Sequence, residues 1–223
     1  MGPGNFFYDK LITHGWQFPV RLLVKYHRFF NNHFATSQDG QDMIVLGLLN
    51  NKRNGTFVDL GGSNGVKSSN TYYLENKFGW EGLCIEANPR FYKNLVKNRN
   101  CKTLFSCVAG ENKKVYFNND GATGSIDESG TAMDAVPLSQ ILKSQNMPSI
   151  IDYLSLDVEG YEEEILIDFP FDKYRFNVMT IERPSDALHD KLLTKGYKLH
   201  AKLEPDGFWV DNVYVYEDLE IDN

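Results

Sequence analysis

Short apolar runs of strand length alternate with segments of helical spacing along most of the chain. The runs lie at residues 56–60, 82–86, 103–108, 151–157 and 176–182. Strands that are apolar throughout are typical of a parallel sheet that helices cover on both sides. The pattern therefore predicts an α/β fold with a Rossmann-like, doubly wound and mostly parallel sheet.

The segments between these runs predict the helices, and the C-terminal part predicts a closing antiparallel hairpin. Helices are expected at residues 65–77, 89–98, 137–144, 161–167 and 185–195, and the hairpin at 197–203 and 208–216. A short extra strand is expected at 114–117. The polar segment 118–133 is long for a connection in a compact domain, which is typical of a lid or substrate loop and equally of a disordered connection.

Length and composition limit the number of domains and the classes of partner. Residues 1–36 carry aromatic and aliphatic positions at mixed helical spacing, which predicts a helical extension before one domain at residues 37–223. The formal net charge of −7 argues against a nucleic-acid surface, and no apolar stretch is long enough for a membrane span. We expect a cytoplasmic protein; its oligomeric state, and whether it is part of a longer protein, stay open.

Acidic residues end or follow four of the predicted strands. They are Asp59, which precedes the small-residue turn 61–65, then Glu86, Asp157, Glu159 and Glu182. Ligands of doubly wound sheets bind at the carboxyl ends of the strands. These acids are therefore expected to line one functional cleft.

The turn and Glu86 together indicate the kind of ligand. A strand, a glycine turn and a helix open a nucleotide-type site, and an acid about 20 residues further on suits the ribose hydroxyls of an adenosine cofactor. The turn lacks Gly-x-Gly-x-x-Gly spacing, and Asp59 in front of it would repel a pyrophosphate. An adenosine cofactor with a cationic end and no phosphate is S-adenosylmethionine. The alternative is that Glu86 only caps the following helix.

Several ordered motifs resemble the FkbM family of S-adenosylmethionine-dependent O-methyltransferases. They are Phe-Val-Asp-Leu-Gly at 57–61, Gly-Leu-Cys-Ile-Glu-Ala-Asn-Pro at 82–89, Ile-Asp-Tyr-Leu-Ser-Leu-Asp-Val-Glu-Gly at 151–160, Ile-Glu at 181–182, Ser-Gln-x-Gly-Gln-Asp at 37–42 and Ser-Asn-Thr-Tyr at 69–72. The resemblance spans residues 37–215 and implies a class I methyltransferase fold with seven strands. Two positions depart from the family: the turn reads Gly62-Ser63 where Ala-Asn is usual, and Arg183 follows Glu182 where a histidine is common.

The resemblance also implies which residues contact the cofactor. Asp59 and the 61–65 backbone would hold the methionine end and Glu86 the ribose, while Ala87, Asn88 and Val108 would surround the adenine. Gln38 and Gln41 would add polar contacts, although helix capping is the simpler interpretation of that segment. The full expected cofactor set is Gln38, Gln41, Asp59, Gly61, Ser63, Asn64, Gly65, Glu86, Ala87, Asn88, Val108 and Asp157.

Methyl transfer to a hydroxyl needs a base that accepts the proton or a metal that lowers the hydroxyl pKa. The candidate catalytic residues are Asp157, Glu159 and Glu182. Carboxylates at neighbouring strand ends suit either one base of raised pKa or a Mg²⁺-type site with Asp157 and Glu182 as ligands. A third possibility is that Glu159 and Glu182 only pair with Arg183 or Lys67.

The leading hypothesis is an S-adenosylmethionine-dependent O-methyltransferase. The resemblance implies a sugar hydroxyl of a glycan or glycosylated metabolite as the acceptor, and Trp209 of the closing hairpin would either pack against a sugar face or, as we favour, fill the core. The layout also suits a NAD-dependent oxidoreductase, although the acid before the turn and the missing glycine spacing argue against it. A non-catalytic binding module that has kept the cofactor fold is the remaining alternative.

Overall fold

The computed structural model describes residues 36–118, 125–126, 130–203 and 211–219. The helices of these parts are α1 (Gln41–Leu48), α2 (Tyr72–Phe78), α3 (Pro89–Asn98), α4 (Leu138–Ser144), α5 (Glu162–Leu166) and α6 (Asp186–Thr194). The strands are β1 (Thr56–Leu60), β2 (Glu81–Glu86), β3 (Lys102–Phe105), β4 (Cys107–Ala109), β5 (Lys113–Asn118), β6 (Ser125–Ile126), β7 (Thr131–Pro137), β8 (Ile150–Leu156), β9 (Arg175–Glu182), β10 (Tyr197–Leu203) and β11 (Asp211–Tyr216). The expected N-terminal extension up to residue 35, and Trp209, lie outside the described residues.

The main sheet has seven strands in the order β10-β11-β9-β8-β1-β2-β3. Its central strands β2, β1, β8 and β9 pair in parallel, whereas β11 runs antiparallel to both of its neighbours. The predicted doubly wound, mostly parallel sheet with an antiparallel C-terminal hairpin is therefore confirmed. Parallel pairing brings the carboxyl ends of the four central strands to the same edge of the sheet, where ligands of such folds bind.

Alternate residues of the central strands pack on opposite faces of the main sheet. Val58 and Leu154 belong to an apolar cluster with side chains of α4, α5 and α6. Phe57 and Tyr153 belong to a second cluster with side chains of α1, α2 and α3. Each large apolar side chain buried in this way stabilises the fold by about 1.5–3 kcal/mol, so the covered faces fix the register of the strands that carry the cleft residues.

The predicted strand at 103–108 is wrong, because the chain changes sheets within it. β3 ends at Phe105, and the N–H of Ser106 donates to the carbonyl of Glu86 at 3.2 Å. The next residues form β4, which pairs in parallel with β7 in a four-stranded sheet of order β4-β7-β5-β6. The extra strand expected at 114–117 is β5, and two further strands, β6 and β7, begin inside the expected long loop.

The helix predicted at 65–77 begins only at Tyr72. Polar side chains bond the backbone before that point: Asn64 Oδ1 accepts from the N–H groups of Val66 and Lys67, and Ser69 Oγ accepts from those of Thr71 and Tyr72. Such bonds offer the backbone an alternative to helical pairing. Residues 65–71 therefore form a loop, which is called the serine loop below.

The helices α3 to α6 agree with the sequence expectation to within a residue at each end, and side-chain caps fix the starts of two of them. Asn88 Oδ1 accepts from the N–H of Arg90 before α3, and Ser185 Oγ accepts from the N–H of Leu188 before α6. A side-chain cap of this kind satisfies an N–H that has no partner within the helix. No helix in the described parts of the chain is long and apolar enough to cross a membrane.

Candidate active site

A cleft of about 820 Å³ opens at the carboxyl ends of the central strands. Its wall includes residues of β1, β2, β8 and β9, the serine loop, the segment before α1 and the first residue of β11. The predicted site residues that line it are Gln38, Gln41, Asp59, Gly61, Ser63, Asn64, Glu86, Ala87, Asn88, Val108, Asp157, Glu159 and Glu182. The structure thus brings both predicted sets, cofactor and catalytic, into one cavity.

Gly65 is the one predicted residue that does not line this cleft. Its backbone has a φ of +81°, and a Cβ there would lie 2.8 Å from side-chain atoms of Leu95 and Arg99. The glycine is therefore required for packing behind the turn. This position does not support the expected contact between Gly65 and a cofactor.

The turn after β1 is fixed by its own backbone. The N–H groups of Gly61 and Gly62 donate to the carbonyl of Ile85, at 3.0 and 3.2 Å. Gly61 has a φ of +83°, and a Cβ there would lie 1.8 Å from the carbonyl oxygen of Asp157. The absence of a side chain thus lets the turn after β1 pack directly on the end of β8. Both N–H groups are thus engaged within the protein. The expected contact of the 61–65 backbone with the methionine end stays a prediction.

Glu86 joins the turn after β1 to the turn after β2. Its buried carboxylate accepts from the N–H of Ser63 at 2.7 Å and from the N–H of Asn88 at 2.6 Å. Burial raises the pKa of Glu86, and these backbone hydrogen bonds oppose the rise. The side chain therefore shapes both turns and also faces the cleft, so capping and ligand binding are compatible roles.

Asp59 is buried at the bottom of the same region. Its Oδ2 accepts from the hydroxyl of Thr71 at 2.5 Å and lies 4.0 Å from Nη1 of Arg99. Burial raises the pKa of Asp59, while the positive charge of Arg99 lowers it. The carboxylate is thus oriented by protein partners on the side away from the cleft.

The three predicted catalytic carboxylates meet on the opposite wall. Ligand oxygens of Asp157, Glu159 and Glu182 all lie within 4.8 Å of one another. Loss of water around Asp157, followed by the charge of Glu182 and a hydrogen bond with it, raises the pKa of Asp157 to about 8. Asp157 is nonetheless accessible to solvent from the cleft. A neighbouring negative charge disfavours the ionised form of a carboxyl group, so Asp157 keeps its proton to a higher pH than a free aspartic acid does.

Arg183 pairs with this acidic group, so the pairing that the sequence left open is present. Its guanidinium donates to Oε1 of Glu182, with Nε at 3.0 Å, and lies 4.0 Å from Glu159. Arg183 and Glu159 have positive φ values of 38° and 57°. Strained backbone of this kind costs about 1–3 kcal/mol per residue and is concentrated at functional sites.

Asp211 is a cleft residue that the sequence reasoning missed. It begins β11 and is in register with Glu182 at the end of β9. Burial, opposed by a hydrogen bond from Gln41, raises the pKa of Asp211 to about 6. The signal that could have found it is topological, because the start of an antiparallel strand lies beside the end of its parallel neighbour.

Gln41 is hydrogen-bonded to Asp211 and does not point freely into the cleft. Its Nε2 donates to Oδ2 of Asp211 at 2.7 Å, and its Oε1 accepts from the N–H of Asp39 at 2.9 Å. Both ends of the amide are therefore occupied within the protein. Other lining residues outside the predicted set include the aromatic side chains of Phe91, Phe117 and Tyr161.

A family model described as the methyltransferase FkbM domain matches residues 59–199, which is more than half of the chain. The chain belongs to the FkbM methyltransferase family. S-adenosylmethionine is the methyl donor that this membership supports, and an oxidoreductase is set aside. No curated protein matches the chain.

Solved structures agree with this FkbM assignment at the level of the fold. The methyltransferase FkbM from Methylobacillus flagellatus KT is 13% identical with a TM-score of 0.54, and the match covers 96% of this chain and 59% of that one. The METTL16 methyltransferase domain is 12% identical with a TM-score of 0.52, covering 89% and 68%. The precorrin-6y C5,15-methyltransferase from Geobacter metallireducens GS-15 is 14% identical with a TM-score of 0.50, covering 84% and 96%.

Proposed function

We propose that this FkbM family member transfers a methyl group from S-adenosylmethionine to a hydroxyl oxygen, and that the hydroxyl belongs to a sugar of a glycan or a glycosylated metabolite. The observation that carries the proposal is the position of Asp157. Its carbonyl oxygen packs on Gly61, where no Cβ could fit, and its carboxyl group faces the cleft beside Glu182. A proton acceptor therefore lies next to the turn that the cofactor needs.

Asp157 would act as the general base. The Asp157 carboxylate would accept the proton of the acceptor hydroxyl as the hydroxyl oxygen takes up the methyl group. S-adenosylmethionine would supply that methyl group and be converted to S-adenosylhomocysteine. A base works best when its pKa is near the working pH, and the pKa of Asp157 of about 8 meets that condition. The positive charge of the bound sulfonium would favour the ionised carboxylate that the reaction requires.

Glu86 and Asp59 would serve the cofactor from the other wall. Glu86 has both carboxylate oxygens on backbone N–H groups, at 2.6 and 2.7 Å, and each oxygen has a further lone pair for a ribose hydroxyl. Burial raises the pKa of Asp59 and the charge of Arg99 opposes that rise; its carboxylate would suit the ammonium end of the methionine moiety. Ala87, Asn88 and Val108 line the cleft on the side of Glu86, where the adenine would lie.

A sugar acceptor is supported by the chemistry of the opposite wall. Asp157, Glu159, Glu182 and Asp211 offer carboxylate oxygens, which accept hydrogen bonds from neighbouring hydroxyls. Tyr161 adds an aromatic side chain to the lining of the cleft. Hydroxyl groups and an apolar ring face are the two kinds of surface that a pyranose presents.

A Mg²⁺ ion at Asp157 and Glu182 remains the alternative to a base. Three carboxylates within 4.8 Å of one another would suit an oxygen-preferring cation. However, the guanidinium of Arg183 already binds Glu182 and lies 4.0 Å from Glu159, so a cation would have to replace existing ion pairs. A carboxylate group that already binds an arginine fits a metal poorly, so Asp157 is proposed as the base.

A methyl-transfer screen tests the proposed function. The full chain is incubated with S-adenosylmethionine and a panel of mono- and oligosaccharides, with thiol and amine compounds as comparison acceptors, and products are read by mass spectrometry. We expect one added methyl group on a sugar hydroxyl. Methylation of only the thiol or amine compounds would contradict O-methylation, and binding of the cofactor without any turnover would favour the non-catalytic module.

A further inference from the structure

Arg99 is a buried cation just outside the cleft. It follows α3, does not line the cavity, and its side chain has no exposed surface. Glu75 Oε2 accepts from Nε at 2.5 Å, and Asp59 Oδ2 lies 4.0 Å from Nη1. A buried guanidinium is stable only when its charge is balanced and its donors are bonded, and both acids supply that balance.

The same guanidinium bonds the serine loop at three places. Nη2 donates to the hydroxyl of Thr71 at 3.0 Å, and Nη1 lies 3.3 Å from Oγ of Ser69 and 3.4 Å from the carbonyl oxygen of Gly65. The loop forms part of the cleft wall through Ser68, Ser69 and Asn70. Arg99 thus holds the serine loop from the side away from the cleft, while residues of the same loop line the cleft.

The hydroxyl of Thr71 links this arrangement to the cofactor acid. It accepts from Arg99 and donates to Oδ2 of Asp59 at 2.5 Å. One cation therefore orients both the serine loop and the carboxylate at the end of β1. The planar fork of an arginine can reach these partners together, whereas the single ammonium of a lysine cannot.

We propose that Arg99 is a positioning residue for cofactor binding, which acts through Asp59 and the serine loop without touching the cofactor. The inference rests on the proposed cofactor site. Arg99 does not contact the carboxylates of Asp157, Glu159 and Glu182. Its loss should therefore weaken the affinity for S-adenosylhomocysteine and leave those three carboxylates unchanged. An arginine that served only to stabilise the fold would not show this selectivity.

The test measures the dissociation constant for S-adenosylhomocysteine by calorimetry, together with the thermal unfolding midpoint, for the full chain and its variants. Arg99→Lys keeps the charge and loses the fork, and its dissociation constant is expected to rise at least about tenfold, as for one charge-assisted hydrogen bond. Arg175→Lys is the matched control. Arg175 is the first residue of β9, at the end of the strand away from the cleft, and its guanidinium stacks on Tyr216. The variant should therefore lose thermal stability and keep its affinity within about twofold.

Thr71→Val keeps the inference testable where Arg99→Lys does not fold, because it preserves side-chain shape and removes only the hydroxyl between Arg99 and Asp59. A weakened affinity in Thr71→Val supports the inference. A folded Arg99→Lys or Thr71→Val with wild-type affinity overturns it, as does an equal loss in Arg175→Lys. If the wild-type chain itself binds neither S-adenosylmethionine nor S-adenosylhomocysteine, the proposed function fails with it; binding by wild type and variants alike defeats the positioning role alone.

Discussion

The two walls of the cleft are built in different ways. The wall proposed to hold the cofactor, here called the cofactor wall, contains Asp59 and Glu86. Glu86 accepts from backbone N–H groups, and Asp59 accepts from a hydroxyl and pairs with a buried arginine, so the geometry of both is set before any ligand binds. The wall proposed to hold the acceptor, here called the acceptor wall, contains Asp157, Glu159 and Glu182. These carboxylates face one another, and their mutual repulsion adds to burial in raising the pKa of Asp157. The first wall is suited to hold a ligand, and the second is suited to move a proton.

The largest expected effect is that of removing the proposed proton acceptor, Asp157. Asp157→Asn keeps the shape of the side chain and removes the base, so the turnover number should fall by about 10²–10⁴-fold. Affinity for S-adenosylhomocysteine should fall much less than turnover does, because Asp59 and Glu86 are unchanged and this product lacks the positive sulfonium that Asp157 would face. Steady-state kinetics and calorimetry measure the two quantities. A fully active Asp157→Asn enzyme would remove this residue from the mechanism.

Gly61 is where the two walls touch. Gly61→Ala places a Cβ against the carbonyl oxygen of Asp157, at 1.8 Å without relaxation, and should lower the free energy of unfolding by at least about 2 kcal/mol. Gly160→Ala is the control, since Gly160 also has a positive φ of +104° but meets no atom within 4 Å. Denaturant unfolding compares them. Equal losses in the two variants would show that backbone strain alone, and not contact between the walls, explains the glycine.

Glu86 tests the cofactor wall by itself. Glu86→Gln should weaken the binding of S-adenosylhomocysteine by about 1–3 kcal/mol, the range for losing a charged hydrogen-bond partner. Glu81→Gln, at the exposed start of the same strand, serves as the control and should bind normally. If the Glu86→Gln variant binds as tightly as the control, the ribose assignment is wrong and Glu86 only joins the turns.

A smaller effect should appear in the dependence of stability on pH. The pKa of Asp157 in the folded state, about 8, exceeds the ordinary value of 3.8, so between these values the native state binds more protons than the unfolded state. The contribution of this group to stability is thus present below pH 4 and is lost as the pH rises toward 8. Asp157→Asn should be more stable than wild type above pH 8, by on the order of 1 kcal/mol once solvent screening is allowed for, and the difference should close toward pH 4. Unfolding curves with a pH-independent difference would argue against the raised pKa.

The smallest expected effect is that of metal removal. Because Arg183 already pairs with Glu182 and Asp157 is proposed to act as a base without a metal, dialysis against a chelator should change the rate by less than about twofold. Assays with and without added Mg²⁺ check this. A rate that disappears with the chelator and returns with Mg²⁺ would replace the base by a metal site.

The difference between the two walls also explains which cleft residues can be predicted from the sequence. The cofactor wall lies within two consecutive strands and their turns, so Asp59, Gly61 and Glu86 could be recognised from local spacing. The acceptor wall needs the sheet order, which sets Asp211 beside Glu182 only because β11 inserts antiparallel next to β9. Periodicity carries no information on such long-range pairing, so Asp211 was missed.

Two predicted elements differ from the structure for separate reasons. Residues 65–71 have a composition compatible with a helix, but Asn64 and Ser69 bond the backbone and delay α2 until Tyr72. Residues 103–108 are apolar enough for one strand, but the chain leaves the main sheet at Ser106 to build a second sheet. In the first case local side-chain hydrogen bonds to the backbone compete with the helix. In the second, a change of sheet between distant strands overrides the continuous apolar pattern.

Calorimetric titration of the full chain with S-adenosylmethionine, S-adenosylhomocysteine and NAD tests the central claim most directly. The claim is that the glycine turn and Glu86 form a site for a phosphate-free adenosine cofactor. Because Asp59 and Glu86 place negative charge on that wall, we predict that both S-adenosyl compounds bind and that NAD does not. Binding of NAD alone would contradict the claim.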